Sequence, residues 1–132
     1  MGVIHLFGHP AADFDAQALI AAVNDAKGRG TQVVTVAMLG HKADMAFMAV
    51  SADMRELRAL QTAIQNAGVF ISDSYVSLTE VSEYAANVPE EMRNARLYPQ
   101  VPVAGKNAWC FYPMSKRRDP ENNWFTLPFD KR

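Results

Sequence analysis

Residues 31–50 read TQVVTVAMLGHKADMAFMAV and predict the centre of the fold. The first part, TQVVTVAML, is rich in β-branched residues and is typical of a strand. The last part, DMAFMAV, is again mostly apolar, and GHKA between the two runs has the length of a tight turn. The stretch therefore predicts two antiparallel strands joined as a hairpin.

A helix is predicted on the N-terminal side of this hairpin. Apolar residues recur there with the i, i+3, i+4, i+7 spacing of one helical face: Leu19, Ala22, Val23 and Ala26. Asp13 is the predicted N-cap, because a carboxylate at that position accepts hydrogen bonds from the first free amides of a helix. Gly28 and Gly30 predict where the helix ends.

A second helix is predicted after the hairpin. Asp53 and Glu56 have the spacing of a capping box, in which the acidic residue three positions on bonds back to the amide of the cap residue. Gly68 predicts the end of the helix. Between these points the apolar face consists of Leu57, Leu60, Ile64 and Ala67.

Two more strands, VIHLF at 3–7 and VFISDSYVSLTEV at 69–81, flank the helices. The predicted order β-α-β-β-α-β places two helices on one face of a four-stranded antiparallel sheet, which is the ferredoxin-like α+β plan. We expect this domain to span residues 1–84. Residues 85–107 are expected to connect it, through one short helix around Pro89–Ala95, to the start of a second, incomplete ferredoxin-like domain at 108–132. Its first strands are predicted in AWCFYPM (108–114) and NNWFTLP (122–128).

Composition and charge narrow the class of protein. Cys110 is the only cysteine, so the chain forms no internal disulfide, and its apolar neighbours predict a buried thiol. The N-terminus lacks a signal peptide and no apolar run is long enough for a membrane span, so a cytoplasmic location is expected. Residues 112–132 hold five basic and three acidic side chains, whereas the remaining residues hold eight and eleven. This local excess of positive charge favours an anionic ligand near the C-terminal stretch.

Four residues in the C-terminal part are candidates for chemistry. Tyr112 has a redox-active phenol, and Lys116 places an ammonium four positions later. Arg96, in ARLYP, has a guanidinium that can hold a carboxylate through two hydrogen bonds. Trp124 can line a pocket for a flat ligand. From the residues alone, these side chains are either ligand contacts or ordinary packing aromatics and solvated charges.

Metal and nucleic-acid sites are not predicted. His5, His9 and His41 are scattered and lack the spacing of metal ligands. RNA-recognition domains of this fold need a basic-glycine-aromatic run in a central strand, and neither TQVVTVAML nor VFISDSYVS contains it. Since the rest of the chain is also acidic, we expect no nucleic-acid partner.

Three motifs occur in a characteristic order: SYVSLTEVSEY (74–84), ARLYP (95–99) and WCFYPMSKRRDPENNWFTLPFDKR (109–132). Together they resemble the chlorite dismutase superfamily of haem proteins, and most closely its coproheme decarboxylase branch. GHKADMAFMAVS (40–51) is similar to the hairpin of that family. The resemblance covers most of this chain but only about the first half of a family member, and it implies a fold of the dimeric α+β barrel type.

The resemblance implies a role in haem biosynthesis. In that branch, iron coproporphyrin III is converted to haem by oxidative decarboxylation with hydrogen peroxide as the oxidant. Tyr112 matches the family's redox tyrosine, whose radical takes hydrogen from a coproheme propionate before carbon dioxide leaves. Lys116 matches a lysine beside the propionates, Arg96 matches an arginine that binds a propionate, and Trp124 matches a tryptophan near the porphyrin edge.

One departure from the family pattern bears on activity. The family's axial histidine lies shortly after the segment that matches FDKR (129–132), and none of the three histidines of this chain matches it. We therefore expect no metal ligand here. The expected partners are a porphyrin ligand and either a homo-oligomer or a second chain that supplies the C-terminal half. The alternative is a non-enzymatic ferredoxin-like domain that self-associates and binds a porphyrin or another apolar ligand.

Overall fold

The structure is a computed structural model that describes residues 1–81 and 88–131. Two short 3-10 turns lie near the end of the chain, at Trp124–Thr126 and Phe129–Lys131. The helices and longer strands lie mostly in the first part of the chain. In chain order, the elements are β1 (Gly2–Pro10), α1 (Ala16–Gly28), β2 (Gln32–Ala37), β3 (Met45–Ser51), α2 (Met54–Asn66), β4 (Val69–Leu78), α3 (Glu90–Leu97), β5 (Arg118–Asp119) and β6 (Asn122–Asn123).

The first four strands form one antiparallel sheet in the order β2-β3-β1-β4. β2 and β3 pair as the predicted hairpin. On the central strand β1, His5 lies between Met48 of β3 and Tyr75 of β4. This order, with α1 and α2 as crossovers, confirms the ferredoxin-like α+β prediction.

Alternating side chains of β1 separate the two faces of the sheet. Ile4 and Leu6 are buried and belong to the apolar core between the sheet and the helices. His5 and Phe7 are only partly buried, because successive strand residues point to opposite faces. The α2 residues in the core are those of the predicted apolar face, including Leu57, Leu60 and Ile64. The opposite face of the sheet, here called the open face, is left for the C-terminal part of the chain.

The start of α1 differs from the prediction. Asp15, not Asp13, is its N-cap, and the Asp15 carboxylate accepts hydrogen bonds from the amides of Gln17 at 2.8 Å and Ala18 at 3.0 Å. The chain first makes a turn in which the amide of Phe14 donates a hydrogen bond to the carbonyl of Ala11 at 3.1 Å. The helix therefore begins two residues later than predicted.

At α2 the cap is confirmed but the capping box is wrong. Asp53 accepts a hydrogen bond from the amide of Arg55 at 2.8 Å. Glu56 does not bond back to Asp53, because its carboxylate accepts a charge-assisted hydrogen bond from Arg29 Nε at 2.8 Å. The Asp53 amide bonds to the Ser51 hydroxyl instead, at 3.2 Å. Glu56 therefore joins the end of α1 to the start of α2.

Gly68 follows α2 as predicted, and its position requires glycine. Its φ is +82°, and a Cβ there would lie 2.6 Å from Cα of Phe14. The close approach lets the amides of Ala11 and Asp15 bond to the carbonyls of Gly68 and Ala67, at 2.8 and 2.9 Å. These bonds fasten the turn before α1 to the end of α2.

The C-terminal part departs from the predicted pair of strands. Residues 108–114 form no ladder with another described strand, and in 122–128 only Asn122–Asn123 is a strand, paired with β5. An extended segment becomes a strand only where a neighbour bonds to its amides and carbonyls. Residues 108–114 cross the open face rather than an edge of the sheet, so the strand predicted there is wrong, and the strand predicted at 122–128 is confirmed only at Asn122–Asn123.

The connecting helix is confirmed as α3, Glu90–Leu97. The predicted boundary between residues 84 and 85 lies outside the described residues. Within residues 1–81 and 88–131, no helix has the length and apolar character needed to cross a bilayer.

Candidate functional site

Residues 99–113, here called the strap, run across the open face from edge strand β2 toward edge strand β4. The side chain of Gln32 on β2 fastens its start. Gln32 Nε2 donates a hydrogen bond to the carbonyl of Pro99 at 3.0 Å, and Gln32 Oε1 accepts one from the amide of Val101 at 2.6 Å. The Gln32 side chain thus makes the two hydrogen bonds to the strap that the backbone of a neighbouring strand would otherwise make.

Aromatic rings hold the other end of the strap. The Phe111 ring centroid lies 4.7 Å from that of His5, 5.2 Å from Phe7 and 5.7 Å from Tyr75. Trp109 stacks beside Phe111 with an interplanar angle of 8° and also contacts His5 and Phe7. Such ring pairs contribute about 0.5–1.5 kcal/mol each beyond the area they bury. Side-chain packing, not backbone pairing, therefore keeps the strap on the sheet.

His5 takes part in this cluster, and its surroundings favour the neutral ring. Burial lowers the pKa of the His5 imidazole below its ordinary value, and the backbone of Tyr75 opposes that shift in part. A neutral imidazole packs among the rings without the cost of burying a charge.

Side chains of the strap alternate between the sheet and the solvent. Trp109 and Phe111 point to the sheet, whereas Cys110 and Tyr112 are exposed. The prediction of a buried Cys110 is therefore wrong, since its apolar neighbours occupy the inward positions and the thiol takes the outward one. Tyr112 is 70% exposed, so its phenol is accessible to a ligand.

The small β5–β6 hairpin brings two candidate residues together. Arg118 pairs with Asn123, and the amide of Trp124 donates to the carbonyl of Arg117 at 3.0 Å. The chain therefore doubles back, and Lys116 Nζ lies 4.9 Å from the centroid of the Trp124 ring. This is a cation–π contact, which orients the ammonium over the ring.

Arg96 lies in the last turn of α3 and is exposed. Its helix is tied to the end of β4, because the Thr79 hydroxyl donates to the carbonyl of Leu97 at 2.8 Å. The structure thus brings Lys116 and Trp124 together. In the described part of the chain, neither Arg96 nor Tyr112 forms a hydrogen bond, ion pair or ring contact with that pair.

Two cavities flank the strap on the open face. One, of about 600 Å³, is lined by Phe7, Tyr75, Trp109 and Phe111 among others, and by Lys42. The other, of about 670 Å³, lies on the opposite side of Trp109 against β2. None of the four predicted site residues lines either cavity.

The sequence analysis missed the residues that hold the strap: Gln32, His5, Phe7 and Tyr75. The alternation of β1 contained a signal for two of them, since His5 and Phe7 fall on the face opposite to Ile4 and Leu6. Nothing in the sequence indicates that the Gln32 amide bonds to residues 99 and 101.

The histidines have other contacts than a metal. His5 packs among the rings, and His9 Nδ1 lies 2.9 Å from the Asp44 carboxylate. Among residues 1–81 and 88–131, no three His, Cys, Asp or Glu side chains are grouped so that they could hold a metal ion.

The fold and the C-terminal site define an α+β protein whose ferredoxin-like sheet supports an aromatic and basic surface. The family model described as chlorite dismutase matches residues 12–132. The chain belongs to the chlorite dismutase family. Both the recognition of this family from its motifs and the predicted fold are confirmed.

Two relatives can be compared in more detail. A protein from Natronomonas pharaonis, described as heme-binding, is 36% identical over 126 aligned positions, and the match covers 83% of this chain and 20% of that protein. A solved structure from Thermus thermophilus, described as a novel heme-binding protein, matches with a TM-score of 0.74 and 23% identity over 98% of this chain and 60% of that one. At that identity the structural match supports the fold alone. The chain spans about a fifth of the first relative and three fifths of the second.

Proposed function

We propose that the chain forms part of a haem-binding protein that acts as a coproheme decarboxylase in haem biosynthesis. Membership of the chlorite dismutase family supports the porphyrin ligand, as does the Natronomonas pharaonis relative, which is itself described as heme-binding. The finer assignment to the decarboxylase branch rests on the sequence YPMSK and on the exposure of the Tyr112 phenol. We propose iron coproporphyrin III as the substrate and hydrogen peroxide as the oxidant.

The accessible phenol of Tyr112 is the observation that carries the proposal. Phe111 and Trp109 fix the backbone on the sheet and direct Tyr112 outward. Lys116 then presents an ammonium from the Trp124 ring. An accessible phenol and an oriented positive charge four positions later in the sequence suit a substrate whose reacting group is a propionate.

In this proposal each residue of the chain has one task. Tyr112 gives up the hydrogen of its phenol and takes one from the propionate side chain, which loses carbon dioxide and becomes a vinyl group. Lys116 and Arg96 bind carboxylates, and Trp124 packs against the edge of the macrocycle. The iron supplies the oxidising power when bound, and hydrogen peroxide takes up the electrons.

The described residues fit the rim of a porphyrin better than its iron. The basic and aromatic side chains suit carboxylates and a flat ring. His5 is packed among rings and His9 is paired with Asp44, so neither is arranged as an iron ligand in the described part of the chain. We therefore propose that the iron ligand comes from outside this chain, and that residues 1–84, 85–107 and 108–132 act as the domain, connector and second-domain start described above.

The proposal can be tested with iron coproporphyrin III and hydrogen peroxide. Imidazole is added to give the iron a nitrogen ligand, and porphyrin products are separated by chromatography and weighed by mass spectrometry. Tyr112→Phe is expected to abolish carbon dioxide loss while leaving porphyrin affinity nearly unchanged. The matched control is Tyr98→Phe, which changes another exposed tyrosine and is expected to keep activity. An active Tyr112→Phe, or a chain to which the porphyrin does not bind, contradicts the proposal.

A second candidate function, self-association of a ferredoxin-like domain, is favoured by the exposed apolar surface of β4. Phe70, Tyr75, Val76 and Leu78 are each 48–64% exposed on this edge strand. Edge strands with large apolar side chains tend to pair with another chain. We propose a second copy of this chain as the partner. Light scattering across a dilution series checks this: a Val76→Lys variant is expected to be monomeric where the unmodified chain is dimeric, and a monomeric unmodified chain contradicts the proposal.

A further inference from the structure

Two cations of the C-terminal stretch share one aromatic ring. Lys116 Nζ lies 5.8 Å from the Phe125 ring centroid, and Arg118 Cζ lies 4.5 Å from it. The two residues are two positions apart in an extended segment, where alternate side chains point to the same side. Lys116 also lies over Trp124. Two positive charges are thus gathered on one side of the β5–β6 hairpin.

The intervening arginine has a different environment. Arg117 Nε lies 3.9 Å from the Asp119 carboxylate, and Arg117 lines a hollow of about 310 Å³ together with Glu121. Its charge is therefore partly balanced by the Asp119 carboxylate. Arg118, in contrast, forms no ion pair with a carboxylate of the described residues, and the Phe125 ring orients its guanidinium without neutralising it.

We propose that Arg118 is a second cationic contact for the carboxylates of the ligand, beside Lys116, and that Arg117 is not. This inference rests on the proposed function and adds a residue to that site. Lys116 and Arg118 lie near the same ring, so a ligand with several carboxylates can be bound by both cations. The planar guanidinium of Arg118 binds a carboxylate through two parallel hydrogen bonds, whereas Lys116 acts as a point charge.

The two arginines provide a matched pair of variants. Arg118→Gln and Arg117→Gln remove the same charge from neighbouring positions and keep a polar side chain. Binding of metal-free coproporphyrin III is measured by absorbance at several salt concentrations. Arg118→Gln is expected to weaken binding about tenfold, the size of one charge-assisted hydrogen bond, and to flatten the salt dependence. Arg117→Gln is expected to change affinity less than about twofold, as a partly balanced surface charge does. Equal losses for both variants, or an unchanged Arg118→Gln, overturn the inference.

A third variant separates charge from packing. Arg118→Lys keeps the positive charge and a stem that can lie on Phe125, so it is expected to recover most of the affinity lost in Arg118→Gln. If Arg118→Lys binds as weakly as Arg118→Gln, the loss is not one of charge and the inference fails. Circular dichroism of each variant checks that the fold is kept.

A smaller probe distinguishes this inference from the proposed function. Benzene tetracarboxylate is flat and carries several carboxylates, but it has no macrocycle and no site for iron. In a nuclear magnetic resonance titration, the Arg118 Nε–H signal is expected to shift and the Arg117 Nε–H signal to stay in place. A shift of Arg118 without porphyrin binding supports the cation pair and contradicts the haem function. Porphyrin binding that depends on Lys116 but not on Arg118 supports the haem function and contradicts the cation pair.

Discussion

The two parts of the molecule are held together in different ways. Residues 1–81 have backbone ladders and a core in which Leu6, Leu60 and Ile64 are at most 1% exposed. Between 88 and 131, none of the residues whose burial is described is buried, and the strap is held by rings and by the Gln32 amide. The first part therefore carries the stability of the fold, whereas all four candidate site residues belong to the second. The contrast suits a surface that is completed by a ligand or a partner.

Truncation in the core is expected to have the largest effect. Leu60→Ala removes a side chain that is 1% exposed and leaves a cavity, so the free energy of unfolding should fall by about 2–5 kcal/mol. Urea denaturation followed by circular dichroism measures this. The control is Met114→Ala, which truncates a side chain that is 84% exposed and should change stability by less than about 0.5 kcal/mol. Similar losses for both variants would mean that the two regions contribute equally to the free energy of unfolding.

Removal of a strap anchor is expected to have a smaller and local effect. Phe111→Ala deletes contacts with three rings of the sheet and should lower the local free energy of strap opening by about 1–3 kcal/mol. Trypsin cleavage after Lys106 should then be faster, while the urea midpoint of the sheet changes little. Tyr112→Ala is the control, because Tyr112 points outward. Cleavage accelerated equally by both variants contradicts the proposed alternation.

Loss of the side-chain fastening at the start of the strap should be weaker again. Gln32→Ala removes two hydrogen bonds, to Pro99 and from Val101, and should reduce protection of the Val101 amide by about 1 kcal/mol. Hydrogen exchange followed by nuclear magnetic resonance measures this amide directly. Gln65→Ala, on the exposed side of α2, should leave it unchanged. Unaltered exchange at Val101 in Gln32→Ala would show that the amide does not fasten the strap.

Acidification is expected to have the smallest effect. Burial lowers the pKa of His5 in the folded protein below the ordinary 6.5, so the unfolded chain takes up this proton at a higher pH than the folded chain. The contribution of His5 to stability is therefore complete above about pH 6.5 and falls as the pH drops from there toward the folded pKa. Thermal unfolding between about pH 7.5 and pH 5.5 should show a smaller decrease for His5→Phe than for the unmodified chain. Equal decreases would contradict a neutral His5 in the ring cluster.

The sequence was sufficient for the regions where pattern and packing agree. The periodicity around Leu57 and Leu60 and the alternation of residues 31–50 predicted the helices, the hairpin and the fold. It failed where a tertiary contact competes with a local rule. The Glu56 carboxylate bonds to Arg29 instead of closing the capping box. Residues 108–114 pack on the rings of β1 instead of pairing as a strand.

The candidate site was predictable in part. The motifs were sufficient to recognise the family, and Lys116 lies on Trp124. The roles of Tyr112, Arg96, Lys116 and Trp124 toward a ligand remain predictions. The different environments of Arg117 and Arg118 could not be predicted from the sequence. They depend on which ring and which carboxylate the hairpin brings close to each arginine.

The central claim is that the C-terminal stretch forms one wall of a porphyrin site. Its most direct test is a titration of the isotope-labelled chain with metal-free coproporphyrin III, with amide shifts followed by nuclear magnetic resonance. The account predicts the largest shifts at Tyr112, Lys116 and Trp124. Shifts confined to the helix-side hollow that Leu19 and Val36 line, or no shifts at all, would contradict it.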